Sequence, residues 1–231
     1  MSELSDRLSK QLPETRARML SWPQMFEAEL SSRLADPVVA QDIDRMSYVD
    51  SWRRIRRTTP MILRTIERLD SLGEPEAATF WIEHLDEEAG HDRIMLDDLE
   101  RMFGGQAALA SVLDAHPITP PSAALLGYYE WQALHGDPHL LIILRLFLEW
   151  HMAEMSAAER ADVHALIVGG SQTLTVHAEA DRMHVRPCYA YIDRWFAPAA
   201  LPRLLWSLDF IGLCLREAQA WTASAVLARS D

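Results

Sequence analysis

The chain has 231 residues, of which 49% are hydrophobic, so it is long enough to bury a sizeable core as one large domain or two small ones. A net charge of −12 argues against nucleic acid or an anionic membrane as the main partner. Cys188 and Cys214 have no CxxC spacing, and the amino-terminal MSELSDRLSK is too charged for a secretory signal. We therefore expect a cytoplasmic protein without a disulfide framework.

Glycine and proline interrupt the chain sparsely, and the apolar residues between them recur with a period near 3.6, which is typical of helices. The predicted helices cover residues 14–35, 38–58, 60–72, 75–103, 121–134, 138–156, 158–168, 171–186 and 199–228. No segment alternates with period two, and no repeat or composition shift marks a domain boundary. We predict one all-α helical domain over residues 1–231, in which the first twenty residues could form a flexible or peripheral arm.

The first polar cluster lies in WIEHLDEEAGHDRIMLDDLERMFGG, within the predicted helix 75–103. Glu88 and His91 are spaced i, i+3, and His84 lies one turn before Glu88, so the three would share one helix face. Apolar residues on the same stripe indicate that this face turns inward, where an E-x-x-H unit can supply metal ligands. The alternative is a solvated helix surface, which the neighbouring acids fit: Asp86, Glu87, Asp92, Asp97 and Asp98.

A single acid, Glu149, lies on an apolar stripe in HLLIILRLFLEWHMAEM. If buried without a partner, this carboxylate would cost several kcal/mol, so it needs either a metal ion or another cation. Arg145, four residues earlier, could supply that cation in a helix-surface ion pair. Glu154 is the competing ligand in this helix, but it lies nearer the acidic, exposed end. The apolar run LLIILRLFLEW is interrupted by charges and too short to span a bilayer.

The segment HAEADRMH contains two imidazoles and a carboxylate in helical register. Because a helix advances roughly 100° per residue, His177, Asp181 and His184 project from one narrow face, while Glu179 points to the far side. Imidazole nitrogen and carboxylate oxygen together suit iron, manganese or zinc. The alternative is a polar stripe on a solvated helix.

Together, three segments offer three histidines and three carboxylates, enough for two metal ions with open positions for O2 and a substrate. The candidate ligands are Glu88, His91, Glu149, His177, Asp181 and His184. A set without thiolate favours a di-iron or di-manganese centre over structural zinc.

The order of four motifs resembles the heme-oxygenase-like di-iron oxidases, also called heme-oxygenase-like iron-containing redox enzymes. These motifs are RRTTPMIL, HLDEEAGHDRIMLDDLERMFGG, LFLEW and HAEADRMH, and the likeness covers about residues 45–190. Its most specific element is His-x3-Asp-x2-His. The resemblance implies a single heme-free bundle of seven to nine helices, with the metal site in its core and the six candidates above as ligands. The family pattern leaves Glu87 open as a replacement for Glu88.

What this family implies is O2 activation at two Fe(II) ions, with O2 as co-substrate, usually in natural-product biosynthesis. Family members differ in outcome: N-oxygenation, oxidative decarboxylation or C–C cleavage, and nitrile formation. By this resemblance the chain would be a non-heme di-iron oxygenase or oxidase acting on a small amine or amino-acid derivative. An external electron donor and a homodimeric state stay open.

Three alternatives explain parts of the pattern. A ferritin-like di-iron carboxylate protein shares the E-x-x-H rhythm, but residues 51–60 offer no acid about thirty residues before Glu88, and His177 would be surplus. A thiaminase-type hydrolase of the same fold would need a catalytic cysteine in the cavity, where neither Cys188 nor Cys214 is expected. A metal-free helical binding or scaffold protein would leave every polar cluster on a solvated surface.

Overall fold

The computed structural model describes residues 2–22, 33 and 35–229, except for the side chains of residues 178–182. Over this part of the chain it contains eleven α-helices and no strand, which confirms the prediction of an all-α bundle. The helices are α1 (Glu3–Leu20), α2 (Pro37–Ile55), α3 (Thr58–Ser71), α4 (Pro75–Glu88), α5 (His91–Phe103), α6 (Gln106–Ala115), α7 (Pro120–His135), α8 (Leu141–Ala153), α9 (Ala157–Ala165), α10 (Gln172–Trp195) and α11 (Leu201–Leu227). Short 3-10 turns, Pro138–Leu140 and Pro198–Ala200, precede α8 and α11.

The prediction of one continuous helix over residues 75–103 is wrong. The chain ends α4 at Glu88, turns at Gly90 and begins α5 at His91. Gly90 has a φ of 93°, in the left-handed region where a side chain would be strained. The break lets α4 pack on α3 while α5 packs on α2 and α10. Glu88 and His91 therefore do not share a helix face; they lie on either side of a tight turn.

The break at Gly90 and one helix that was not predicted raise the number of described helices above the predicted seven to nine. Residues 106–115 form α6, which buries Leu109 after the turn at Gly104 and Gly105. In addition, α10 continues through Pro187 to Trp195, where we predicted a break. A proline removes only one backbone donor, and the turn that follows it is anchored by buried Cys188 and Ile192. Tertiary packing thus outweighs the local cost of the proline.

Residues 3–20 form α1, which packs against α11, α10 and α8. Leu4, Leu8 and Leu12 recur every four residues and are at most 4% exposed. At the start of the helix, the backbone N–H of Ser2 donates to Asp193 at 2.9 Å. These contacts tie α1 to the core and to the far end of α10.

Helix α8 is the most deeply buried element and sets the position of Glu149. Six of its large apolar side chains are buried, and burial of each stabilises the fold by roughly 1.5–3 kcal/mol. They are Leu141, Ile142, Ile143, Leu144, Leu146 and Phe147. Helix α10 lies along α8, so Glu149 on α8 and His184 on α10 are brought together inside the bundle.

One segment of the described chain, Pro198–Leu227, is long and apolar enough to span a membrane by length and composition, with a mean hydropathy of 1.3. It is longer than LLIILRLFLEW, which lies in α8. In the structure its helix, α11, packs against α1, α2, α7 and α8. One helix of this kind is weak evidence for a membrane span, because core helices of soluble proteins can have the same length and composition.

Candidate metal centre

The end of α4, the start of α5, and the interiors of α8 and α10 meet at one group of histidines and carboxylates. We call it the histidine–carboxylate cluster: His84, Glu88, His91, Glu149, His177 and His184. Five of the six residues singled out from the sequence are in it. The sixth, Asp181, has a side chain outside the described residues, although its backbone belongs to α10.

One set of donor atoms is formed by Glu88, His91 and His177, whose ligand atoms all lie within 4.8 Å of one another. His91 Nδ1 is 3.2 Å from Glu88 Oε2, and the rings of His91 and His177 are 4.5 Å apart between centroids. His177 Nδ1 lies 2.7 Å from the carbonyl oxygen of Thr173. A carbonyl only accepts, so Nδ1 carries the proton and Nε2 of neutral His177 keeps its lone pair. Metal-binding histidines are commonly oriented in this way.

A second set contains His84, Glu88 and Glu149, again with ligand atoms within 4.8 Å of one another. Glu88 therefore belongs to both sets and has a carboxylate that could bridge two cations. His184 extends the second set, because its Nδ1 lies 3.3 Å from Glu149 Oε2. The two sets together supply four imidazoles and two carboxylates, the nitrogen and oxygen chemistry that suits iron or manganese.

His84 is the site residue that the candidate ligand set omitted. It is 4% exposed, and its Nδ1 makes no hydrogen bond, although Glu87 Oε2 lies 3.5 Å away. Burial, with the nearby positive charge of Arg145, lowers the pKa of His84 to about 4. The imidazole is therefore neutral at neutral pH, and its buried Nδ1 has no hydrogen-bond partner. Such an atom is costly unless something binds it.

Arg145 supplies a positive charge at the edge of the cluster. Its Nη2 lies 3.2 Å from Glu87 Oε2, and its Nε lies 3.5 Å from Glu149 Oε1. The arginine side chain is only 5% exposed, so the helix-surface ion pair considered for Glu149 is in fact a buried one. Glu149 is 6% exposed. Both charges are thus taken out of water, and each depends on the other for compensation.

The protonation pattern follows from these contacts. Burial alone would raise the pKa of Glu88, but the hydrogen bond with His91 and the neighbouring imidazoles lower it to about 2. Burial would likewise raise the pKa of Glu149, which the contacts with His184 and Arg145 lower instead. The same hydrogen bonds raise the pKa values of His91 and His184. In this form protons on imidazoles neutralise the carboxylates, and a bound metal ion would have to replace them.

The competing acids fall outside the cluster or at its edge. Glu154 is exposed at the end of α8, whereas Glu149 is buried, which agrees with the choice of Glu149. Glu87 is 44% exposed, and its Oε2 lies 3.5 Å from His84, 3.2 Å from Arg145 and 3.9 Å from His184. Asp98, which we expected to be solvated, is fully buried in another polar group.

Cys188 lies one turn after His184 and donates its Sγ–H to the carbonyl oxygen of that residue at 3.3 Å. It is fully buried, and burial raises the pKa of its thiol to about 12. A thiol held in this way is a poor nucleophile, which disfavours the thiaminase-type alternative. The scaffold alternative required solvated clusters, whereas His84 and Glu149 are buried.

Neither of the two cavities described in this part of the chain touches the cluster. One, of about 100 Å³, lies between α2 and α11 next to Asp50 and His116. The other is a groove of about 380 Å³ along α11, lined by Trp206 and Leu213 among others. Of the described side chains beside the cluster, Glu87 is 44% exposed, and His184 within it is 18% exposed.

Comparison with known proteins adds no family to this description: no protein-family model matches the chain, and no curated protein is significantly similar to it.

Proposed function

We propose that the histidine–carboxylate cluster binds two metal ions and that the chain is a non-heme di-iron, O2-dependent oxidoreductase. The observation that carries this proposal is the arrangement of two donor sets around a shared carboxylate, Glu88, with an unpartnered buried nitrogen on His84. The shared carboxylate is the feature that a purely structural ion-pair network does not require. The heme-oxygenase-like di-iron oxidases, which the sequence motifs resemble, use the same ligand chemistry.

Each residue then has a role. Glu88, His91 and His177 hold the first metal ion, while His84, Glu88 and Glu149 hold the second, with His184 beside Glu149. Asp181 remains a predicted ligand. Thr173 fixes the ring orientation of His177 through its carbonyl oxygen. Surrounding apolar side chains of α8 exclude bulk water, which strengthens every charge interaction inside the site.

Iron bound here would supply the reduction of O2, which zinc cannot, and manganese is the closest substitute by ligand preference. By resemblance, the substrate is a small amine or amino-acid derivative, oxidised at nitrogen or cleaved at a C–C bond. The setting is a cytoplasmic biosynthetic reaction, with electrons from an external donor where the chemistry requires them. Substrate would approach from the edge formed by Glu87 and His184, the accessible side of the cluster.

Anaerobic loading with Fe(II), followed by gel filtration and metal analysis, tests the binding proposal. We expect close to two irons per chain in the wild type and fewer than one in Glu88→Gln, because this residue serves both sets. Glu154→Gln, at an exposed acid just after α8, is the control and should bind as the wild type does. Equal iron content in Glu88→Gln and the wild type would refute the site.

The O2 chemistry is tested separately on protein with a known iron content. Consumption of O2 is followed with a panel of amines, amino acids and fatty acids, and products are identified by mass spectrometry. Substrate-dependent O2 uptake that is lost in Glu88→Gln supports the oxidoreductase. Iron binding with no O2 consumption beyond simple Fe(II) oxidation, for any class of substrate, favours an iron-storage or structural role.

A further inference from the structure

A chain of hydrogen bonds outside the histidine–carboxylate cluster links Trp81, Tyr191, His139 and Glu74. Trp81 Nε1 is 3.2 Å from the Tyr191 hydroxyl oxygen, which is 2.6 Å from His139 Nδ1. His139 Nε2 is in turn 2.6 Å from Glu74 Oε2. Trp81 is fully buried and Tyr191 is 4% exposed, while the Glu74 side chain is 32% exposed. The chain therefore runs from the core to the surface.

The directions of these hydrogen bonds follow from the donor chemistry. An indole N–H only donates, so the oxygen of Tyr191 accepts from Trp81. The single phenolic proton is then free to be donated to Nδ1 of a neutral His139. Nε2 of that imidazole carries the other proton and donates it to the Glu74 carboxylate. The result is a phenol, a base and a carboxylate in series, aligned for transfer of the phenolic proton.

Ring contacts connect the same tyrosine with the candidate metal centre. The ring of Trp81 is 5.7 Å from that of His84 and 6.0 Å from that of Tyr191, between centroids. On the other side, the ring of Tyr191 is 6.2 Å from that of Trp195. Trp195 also stacks on His139 at 5.2 Å, with an interplanar angle of 20°. Aromatic rings at these distances can pass single electrons from one to the next.

We propose that Tyr191 is a redox-active tyrosine that loses an electron toward the metal centre and its proton to His139. In this step the O–H bond of Tyr191 breaks and an N–H bond forms at His139 Nδ1. The electron passes through Trp81 and reduces the oxidised centre by one electron. What remains is a neutral tyrosyl radical and an imidazolium paired with Glu74. A one-electron reductant at the surface near Trp195 would restore the phenol.

The identification of the metal centre as the oxidant rests on the proposed function, whereas the identification of His139 as the proton acceptor does not. Burial raises the pKa of Tyr191 well above its usual value, so the phenolate is not available as an electron donor. The electron can leave readily only if the proton leaves with it, and His139 is in position to take it. Of the five tyrosines, Tyr191 is the one whose hydroxyl is hydrogen-bonded to an imidazole.

Photo-oxidation of the metal-free protein tests the relay without reference to bound iron. A ruthenium tris-bipyridine photo-oxidant in solution generates radicals, which are freeze-trapped and measured by electron paramagnetic resonance with ring-deuterated tyrosine. We expect a tyrosyl signal in the wild type that falls at least fivefold in Tyr191→Phe. Tyr129→Phe is the matched control, because Tyr129 is fully buried and its hydroxyl has no hydrogen bond to an imidazole among the described residues. It should leave the signal unchanged.

His139→Gln tests the proton step in the same assay. It keeps Tyr191 but removes the base, so the tyrosyl yield should fall by a similar factor, and the formation rate of the wild type should slow in D2O. A full signal in Tyr191→Phe, from Tyr48 for example, would overturn the proposal, as would an unchanged yield in His139→Gln. These results do not depend on metal content, so failure of the relay and failure of the iron site can be told apart.

Discussion

Two groups of buried acids in this bundle differ in how completely their oxygens are hydrogen-bonded. Asp98, on α5, is fully buried and holds the start of α10. The Tyr48 hydroxyl donates to it at 2.9 Å and the Ser171 hydroxyl at 2.8 Å, and the backbone N–H groups of Gln172 and Thr173 donate at 3.0 Å each. An ion pair with Arg101 completes its environment. These contacts outweigh the effect of burial and lower the pKa of Asp98.

The histidine–carboxylate cluster lies at the start of α5, and its acids have fewer hydrogen bonds than Asp98 has. Glu88 and Glu149 each have one imidazole at hydrogen-bond distance, and Glu149 has a long contact with Arg145. The nearby nitrogen of His84 has no hydrogen bond. Buried polar groups in native proteins are generally satisfied, so an unsatisfied group needs an explanation such as an absent ligand. Asp50, in contrast, resembles Asp98, since Arg54, Ser122 and the backbone of Thr119 surround it.

The comparison separates two uses of a buried carboxylate. Where every oxygen is used by donors of the protein itself, the acid fixes the fold, as Asp98 does at the start of α10. Where imidazoles and carboxylates lie together but leave some polar atoms without a hydrogen bond, the acid is available to bind a cation. The net charge and spacing of the acids do not reveal this difference; only their partners do.

The largest effect on folding should come from Asp98→Ala. The substitution leaves several buried donors without an acceptor, so we expect a loss of about 3–5 kcal/mol in the free energy of unfolding. Urea denaturation followed by circular dichroism measures it. Asp97→Ala, at the exposed neighbouring position, is the control and should change stability by less than about 0.5 kcal/mol. A small loss in the free energy of unfolding of Asp98→Ala would show that Asp98 does not fix the fold, and the contrast with the histidine–carboxylate cluster would fail.

Glu88→Gln should have the opposite pattern of effects: a small change in the stability of the metal-free protein and a large loss of metal affinity. We expect at least a hundredfold loss of Fe(II) or Mn(II) affinity, since the carboxylate belongs to both donor sets. The free energy of unfolding without metal should change by no more than about 1 kcal/mol. Isothermal titration calorimetry and urea denaturation measure the two effects. Glu83→Gln, an exposed acid on the same helix, serves as the control.

Arg145→Met sharpens the comparison, because it removes the cation that partly compensates Glu149. Without metal, we expect a loss of about 2 kcal/mol, since Glu149 keeps only His184 as a partner. Saturating Mn(II) should then raise the melting temperature of the variant by more than it raises that of the wild type, because the metal replaces the lost charge. Arg216→Met removes an ion pair on α11 and should leave the metal-induced shift unchanged. A smaller shift in Arg145→Met would show that Arg145 supports metal binding instead of substituting for it.

Local patterning predicts the helices well but not the contacts that make the cluster. The 3.6-residue period is a property of each segment, whereas the break at Gly90 is favoured because α4 and α5 pack on different partners. The pairing of Glu88 with His91 was expected for a wrong reason: the two meet across a turn, and the helix face on which the expectation rested does not exist. His84 and Arg145 belong to the site because α4 approaches α8. The spacing of residues within one segment does not encode that approach. For the same reason Asp98 was expected to be solvated.

The smallest effect should appear in acid and involves His151, a partly buried imidazole whose nitrogen accepts a hydrogen bond from a neighbouring cation. Arg16 Nε donates to His151 Nδ1 at 3.1 Å, which requires that nitrogen to be unprotonated. Burial, with the charge of Arg16, lowers the pKa of His151 to about 4, compared with 6.5 in the unfolded chain. Between these values the unfolded chain binds more protons than the folded one. The contribution of His151 to stability is therefore complete above about pH 6.5 and is lost as the pH falls toward 4.

His151→Phe keeps the aromatic packing against Phe147 and abolishes this proton uptake. From pH 7 to 5.5 the wild type should lose about 1 kcal/mol through this group, and the variant should not show that part of the loss. Melting temperatures measured across the range test this, with His135→Gln, at an exposed histidine, as the control. Parallel pH profiles for His151→Phe and the wild type would mean that protonation of His151 does not contribute to the loss of stability in acid.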